Sequence, residues 1–376
     1  DLNAKINHRI NKNNRIYLSG YFGRDLFKND FADFGFGNQT GTLRWNHLFS
    51  DKLFANVTLL YSNYNYELGS SIDQQGGFSW RAGLEDWSAQ VDFNYYLTPS
   101  QSLKFGGGTT LHSFTPGIIE STGQENLFDQ FKIPGSNALE HEAYISSKSE
   151  VGNFTFKYGL RASAFQNMGK SKVYDYNAKY NAVDSTMYDK GEIYNTYWNL
   201  VPRLGIKYML NDVSSLKASY SRTSQYVQIA QNSTAGTPLD VWFPASPNVK
   251  PQLADQVALG YFRNFDRNRL EASVEGYYKK MQRTIDFKDH ADLLLNKKLE
   301  GELRFGEGMA YGAEFMLRMN YPRLNGWISY TYSHTQRTVS AINDGEPYVA
   351  PHDKPHNVSI VLSYKFADRF TASSTW

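Results

Sequence analysis

The chain has 376 residues, 41% hydrophobic and 15% aromatic, with a formal net charge of +2 and no cysteine. A near-neutral balance argues against a nucleic-acid partner, and the lack of cysteine removes disulfides, thiolate metal sites and thiol nucleophiles. No run approaches the roughly eighteen apolar residues of a membrane-spanning helix, and the mean hydropathy of −0.55 suits a strand wall in which every second side chain faces water.

From the N-terminus onward, about sixteen segments of roughly ten residues alternate apolar with polar positions. In 87–97 the odd positions are Trp87, Ala89, Val91, Phe93, Tyr95 and Leu97, against Ser88, Gln90, Asp92 and Asn94. In 154–165, Phe154, Phe156, Tyr158, Leu160, Ala162 and Ala164 oppose Thr155, Lys157, Gly159, Arg161 and Ser163. Leu270, Ala272, Val274 and Tyr278 oppose Glu271, Ser273, Glu275 and Lys279. Val358, Ile360, Leu362, Tyr364 and Phe366 do the same near the C-terminus, with Val361 the one exception. Strand side chains alternate faces, so each segment has a greasy face and a wet one.

A soluble sandwich shares this period, and segment length separates the two. Soluble strands average about five or six residues, whereas tilted strands crossing a bilayer need about nine to eleven. Connections sharpen the reading. Residues 11–14, 49–52, 98–101, 152–153, 210–213, 265–268, 322–325 and 367–369 are short turns rich in Asn, Asp, Gly and Pro, whereas 25–39, 67–79, 115–137, 166–193, 223–253, 281–309 and 335–355 read as long loops. In an antiparallel transmembrane β-barrel of the outer membrane, short turns face the periplasm and long loops face outward. Phe49, Tyr95, Tyr96, Tyr208, Phe265, Tyr321, Phe366 and Phe370 close strands beside turns, as in an aromatic girdle.

No catalytic constellation emerges. His352-Asp353-Lys354-Pro355-His356 is held extended by its flanking prolines and has no further ligand pair nearby, so a metal role is not expected. His141-Glu142 lies in a strand pattern and reads as a lumen-facing pair. Gly35-Phe36-Gly37 opens no helix, which sets a nucleotide loop aside. Gly106-Gly107-Gly108 marks either a bulge or a close backbone approach, and Glu140, Glu142, Lys148 and Glu150 read as a solvated wall. The expectation is a non-enzyme without cofactor or metal.

Residues 219–265, the strand opening Tyr311-Gly312-Ala313-Glu314-Phe315, and Asp353-Lys354-Pro355-His356-Asn357 resemble the barrel of a TonB-dependent outer-membrane receptor. That resemblance covers nearly the whole chain and implies active import of a scarce, large nutrient: a siderophore-iron chelate, haem, cobalamin, an oligosaccharide or a peptide. It implies a barrel of about twenty-two strands around a plug, coupling to the TonB complex through the plug, and in some members a surface lipoprotein partner. Residues 1–376 then read as barrel alone, with a plug and about three strands expected ahead of Asp1 and about three beyond Trp376. A passive sixteen-stranded porin and a scaffold within a larger outer-membrane assembly are the alternatives. Ligand contacts are expected from 223–253, where Tyr226, Gln228, Asn232, Trp242 and Phe243 combine aromatic faces with amides suited to a sugar ring, a macrocycle or a catecholate. Loop-to-loop packing is the competing role for those residues.

Overall fold

A computed structural model describes residues 1–28, 33–70, 78–121, 131–230, 241–293 and 296–376. Sixteen long strands make one antiparallel wall: β1 (Leu2–Arg9), β2 (Asn14–Lys28), β3 (Asp33–Ser50), β4 (Leu53–Ser70), β5 (Phe78–Thr98), β6 (Gln101–Ser121), β7 (Ser136–Val151), β8 (Phe154–Met168), β9 (Ile193–Asn211), β10 (Ser214–Gln225), β11 (Gln252–Phe265), β12 (Leu270–Phe287), β13 (Leu303–Asn320), β14 (Leu324–Val339), β15 (His356–Ala367) and β16 (Phe370–Thr375). Each pairs with the next in sequence. Among the described residues no ladder joins β1 to β16. Between β1 and β16 the ladders satisfy the backbone of the wall, which is the condition for a sheet to stand in lipid.

All eight expected short turns join consecutive strands, and all lie at one end of the wall. Their chemistry is local. Asn11 accepts the Asn13 amide at 2.9 Å, and Gly152 supplies the positive φ of a two-residue turn. The other end differs from expectation. Several stretches read as loop are strand: 25–28, 33–39, 67–70, 281–287 and 303–309 extend the ladders, and β5 and β6 reach 21 residues. At this end Phe34, Leu68, Ile285, Phe287 and Leu303 pack against loop residues, so apolar positions follow contacts distant in sequence and the alternation that marks a strand is lost while its hydrogen bonds continue.

Register sorts the two faces. Val91, Gly107, Ala143, Ala162 and Leu200 form one outward row, and Gln90, Gly108, Glu142, Ser163 and Asn199 lie in the inward row beside it. Outward side chains such as Trp87, Leu200, Leu204 and Leu259 are more than half exposed, a greasy surface that water would not tolerate at this extent and lipid covers. Beside the turns, Phe154 stacks on Tyr208 at 4.6 Å and Phe366 lies 5.5 Å from Phe370. His141 and Glu142 are not both inward: neighbouring strand residues face opposite ways, and only Glu142 reaches the lumen, where Arg161 donates to it at 2.6 Å. At Gly106 to Gly108 the register runs without a shift on either side. The glycines therefore serve a close approach rather than a bulge, since a Cβ on Gly106 would overlap the Val91 carbonyl oxygen.

Candidate functional site

The core of the molecule lies inside the wall at its long-loop end. In the connection from β10 to β11, Val227–Ala230 pairs with Val241–Pro244, and this pair buries Ala230, Val241 and Phe243 while Ile229 stays exposed. Ala230, Val241 and Phe243 pack with Tyr66 of β4, Trp80 and Ala82 of β5, and Leu303 of β13. A second cluster joins Tyr226 and Ala245 to Phe114, Ala138 and Phe165. One loop thus bridges distant parts of the curled wall.

Polar bonds fix it there. The Tyr226 ring stacks on Phe165 with centroids 4.8 Å apart and planes 3° from parallel. Its hydroxyl lies 2.8 Å from Ser163 Oγ and accepts Asn199 Nδ2 at 2.8 Å. Asn167 Nδ2 donates to the Ala245 carbonyl at 2.7 Å, and Tyr197 donates to the Ser246 carbonyl at 2.8 Å. Of the residues expected to meet a ligand, Tyr226 and Phe243 are buried in this packing and Trp242 is partly exposed beside it. Gln228 is 3% exposed, held by Gln225 and by Gln252 Nε2 at 2.9 Å. Asn232 lies outside the described residues.

Gln228 borders a cavity of about 650 Å³ whose other walls come from three further segments. Asp286 and Phe287 end β12, Lys288 and His290 follow, Arg337 lies near the end of β14, and His352 precedes β15. Asp286 accepts the Tyr348 hydroxyl and Arg337 Nη1, the latter at 3.3 Å. Burial, then the Asp286 carboxylate, keeps the Tyr348 phenol protonated far above its ordinary range. Burial, then the Arg337 charge, lowers the His352 pKa, so this imidazole is neutral at neutral pH. The cavity therefore offers amides that donate and accept, a neutral imidazole, a cation–carboxylate pair and an apolar flank of Ile229 and Phe287. Such a lining suits a ligand rich in hydrogen-bonding groups.

A buried carboxylate ties the surrounding loops together. Glu300, in the connection from β12 to β13, accepts Ser246 Oγ at 2.5 Å and Asn248 Nδ2 at 2.6 Å. Asn248 also donates to the Tyr174 carbonyl at 2.9 Å, in the hairpin of Ser171–Tyr176 with Ala182–Tyr188 between β8 and β9. Burial raises the Glu300 pKa. Lower on the lumen face, buried His112 sits between Asp86, 2.7 Å from Nδ1, and Glu140, 3.5 Å from Nε2.

Sequence reasoning missed Asp286, Arg337 and His352 as walls of one cavity, and Glu300 as the tie between neighbouring loops, because nothing in their spacing foretells which connections converge. The 352–356 stretch disperses its side chains. Asp353 accepts the Thr335 amide at 2.8 Å, and the His356 ring lies 2.9 Å from the Tyr330 hydroxyl.

The family model described as TonB dependent receptor-like, beta-barrel, matches residues 2–376. Among solved structures, the ferric-catecholate import receptor Fiu of K12 E. coli superposes with a TM-score of 0.68 at 13% identity, over 99% of this chain and 63% of its own. The copper transporter OprC gives 0.71 at 14% identity, over 100% of this chain and 58% of its own. The siderophore receptor PiuA of Acinetobacter baumannii gives 0.69 at 13%, over 99% and 63%. The chain thus spans about three fifths of the length of these structures. No curated protein matches it.

Proposed function

The chain belongs to the TonB-dependent receptor β-barrel family, and from that premise we propose that it walls an outer-membrane receptor which captures a scarce, large nutrient and imports it actively. In this reading the long loops face the exterior, the short turns face the periplasm, and the apolar band meets the lipid bilayer. Energy arrives from the TonB complex through a plug held in the lumen, and a surface lipoprotein is a candidate partner at the mouth. The nutrient is drawn from siderophore-iron, haem, cobalamin, oligosaccharide or peptide. The observation that carries the reading is the mouth itself: three connections converge on one polar cavity at the long-loop end, as capture before passage requires and free diffusion does not.

Within that mouth, Gln228 and Trp242 are the proposed ligand contacts, while Tyr226 and Phe243 shape the surface from beneath. Asn232 stays with this loop as a further candidate contact. Uptake by cells carrying the receptor tests the function: accumulation of the nutrient should stop when a protonophore collapses the proton-motive force. Uptake that continues unchanged, together with open-channel conductance in planar bilayers, would establish passive diffusion instead. Trp242→Ala with Phe243→Ala should lower uptake at normal surface levels, and unchanged uptake would remove this loop from ligand binding.

A further inference from the structure

A second cavity, of about 120 Å³, lies among the long connections. Ile133 reaches it from the connection of β6 to β7, Tyr176 from β8 to β9, Phe243 from β10 to β11, and Lys297 and Glu300 from β12 to β13. It shares no lining residue with the cavity beside Gln228.

Its polar groups are mostly donors. The Tyr176 hydroxyl is buried and has no hydrogen-bond partner among the described residues, an arrangement that costs free energy unless something fills it. Burial, then the neighbouring Glu300, keeps this phenol protonated, so it has a proton to donate. Lys172 and Lys297 line the same space. Among the described residues they lie over the rings of Tyr174 and Phe131, at 5.1 and 4.4 Å, and neither has an ion pair. Glu300 is the one acid among the described lining residues. It already accepts from Ser246 and Asn248, and burial favours its protonated form. Two unpaired lysines and an orphaned phenol therefore face a space whose other walls, such as Ile133, Phe243 and Leu293, are apolar.

We propose that this cavity is a second subsite of the mouth and takes a carboxylate carried on a small apolar body of the captured nutrient, with Tyr176 donating to it and Lys172 and Lys297 supplying the opposite charge. A carboxylate answers all three groups at once, since hydrogen bonds with an ionised acceptor are the strong ones. An uncharged hydroxyl would leave the lysines unmet, and an ammonium would be repelled by them. The subsite rests on the reading of the loops as a capturing mouth. Its failure and that of energised import are distinguishable, because binding is read at equilibrium on the isolated receptor whereas import is read in energised cells.

The test uses the full-length receptor, plug included, extracted from outer membranes into a neutral detergent. Saturation-transfer NMR compares benzoate with its uncharged isostere benzamide and with benzylammonium. Saturable benzoate binding that weakens as salt rises is expected, with both other probes at least about fivefold weaker. Tyr176→Phe, which keeps the ring and removes the orphaned hydroxyl, should weaken benzoate about tenfold. Lys172→Gln with Lys297→Gln should weaken it about threefold and remove most of its salt dependence. Lys12→Gln with Lys52→Gln takes the same charge from the short turns and should change affinity less than about twofold. Heat-modifiable gel mobility reports that each variant is folded, and the exposed lysine pair supplies the comparison if Tyr176→Phe does not fold. Absence of saturable benzoate binding, equal or tighter binding of benzamide or benzylammonium, unchanged affinity in folded Tyr176→Phe, or an equal loss in the turn variant would overturn the site.

Discussion

Replacing Tyr226 with Ala should release the mouth loop while leaving the wall intact. The native ring is 4% exposed, stacks on Phe165 at 4.8 Å, and its hydroxyl meets Ser163 and Asn199, each at 2.8 Å. Removing a large buried aromatic costs about 3–5 kcal/mol, transfer and cavity terms together. Tyr226→Phe keeps the stack and loses the hydroxyl's two partners, at about 1–2 kcal/mol. The lost contacts lie between the loop and β8 and β9, so the cost falls on local opening of the hairpin rather than on the strand ladders. Amide hydrogen exchange in Val227–Ala230 and Val241–Pro244 should then quicken by at least about a hundredfold for Ala and about tenfold for Phe. Amides of β8 and β9 serve as the internal reference. Equal exchange in wild type and the Ala variant would refute the reasoning, as would an Ala variant whose wall amides exchange as fast as its hairpin.

Three further outcomes follow from the same geometry. Gly106→Val should sharply reduce the folded fraction seen by heat-modifiable gel mobility, because its side chain meets the Val91 carbonyl; Gly152→Ala, strained in φ but in open space, should cost only about 1 kcal/mol. Burial raises the folded-state pKa of Glu300, so its stabilising contribution is complete below the ordinary glutamate range and is lost as pH rises through the raised value. Exchange protection in 244–249 and 299–302 should therefore fall with rising pH, and Glu300→Gln should flatten that dependence. Asp286→Ala strands Arg337 and the Tyr348 phenol, and should loosen the cavity by about 1–3 kcal/mol, read as faster exchange at 348–349.

The wall was legible in the sequence because two local signals suffice for it. Alternation in 87–97 and 154–165 sets the faces, and Asn11 or Gly152 sets the turns, all within a few neighbouring residues. The mouth was not legible, because its contacts are distant in sequence. Tyr226 meets a partner 63 residues away in Ser163, and Asn248 bonds Glu300 across 52. An aromatic in a long loop reads identically whether it will face a ligand or a strand, so composition marked Tyr226, Phe243 and Trp242 together while packing separates them. The ends of β3, β12 and β13 at the long loops escaped for a related reason: there Phe34, Ile285, Phe287 and Leu303 pack against loop residues distant in sequence, and local periodicity does not record such contacts.

The placement of the loop core separates the stability of the mouth from that of the wall. Among the described residues, both buried clusters lie toward the long-loop end and join loop residues to strand residues such as Tyr66, Trp80, Phe114 and Phe165. The ladders below need none of these contacts for their hydrogen bonds. Opening of the mouth and unfolding of the wall are then separate equilibria, the first governed by a stack, a few side-chain hydrogen bonds and the Glu300 knot, the second by the backbone ladders of the strands. A ligand that prefers one arrangement of the loops shifts only the first, and by no more than its differential affinity for the two arrangements. Since the Glu300 knot joins three connections, a ligand that displaces Asn248 or Ser246 would move the hairpin between β8 and β9 along with the loop it touches. Coupling across the mouth therefore runs through hydrogen bonds of the loops themselves, with the wall acting as the fixed frame against which they move.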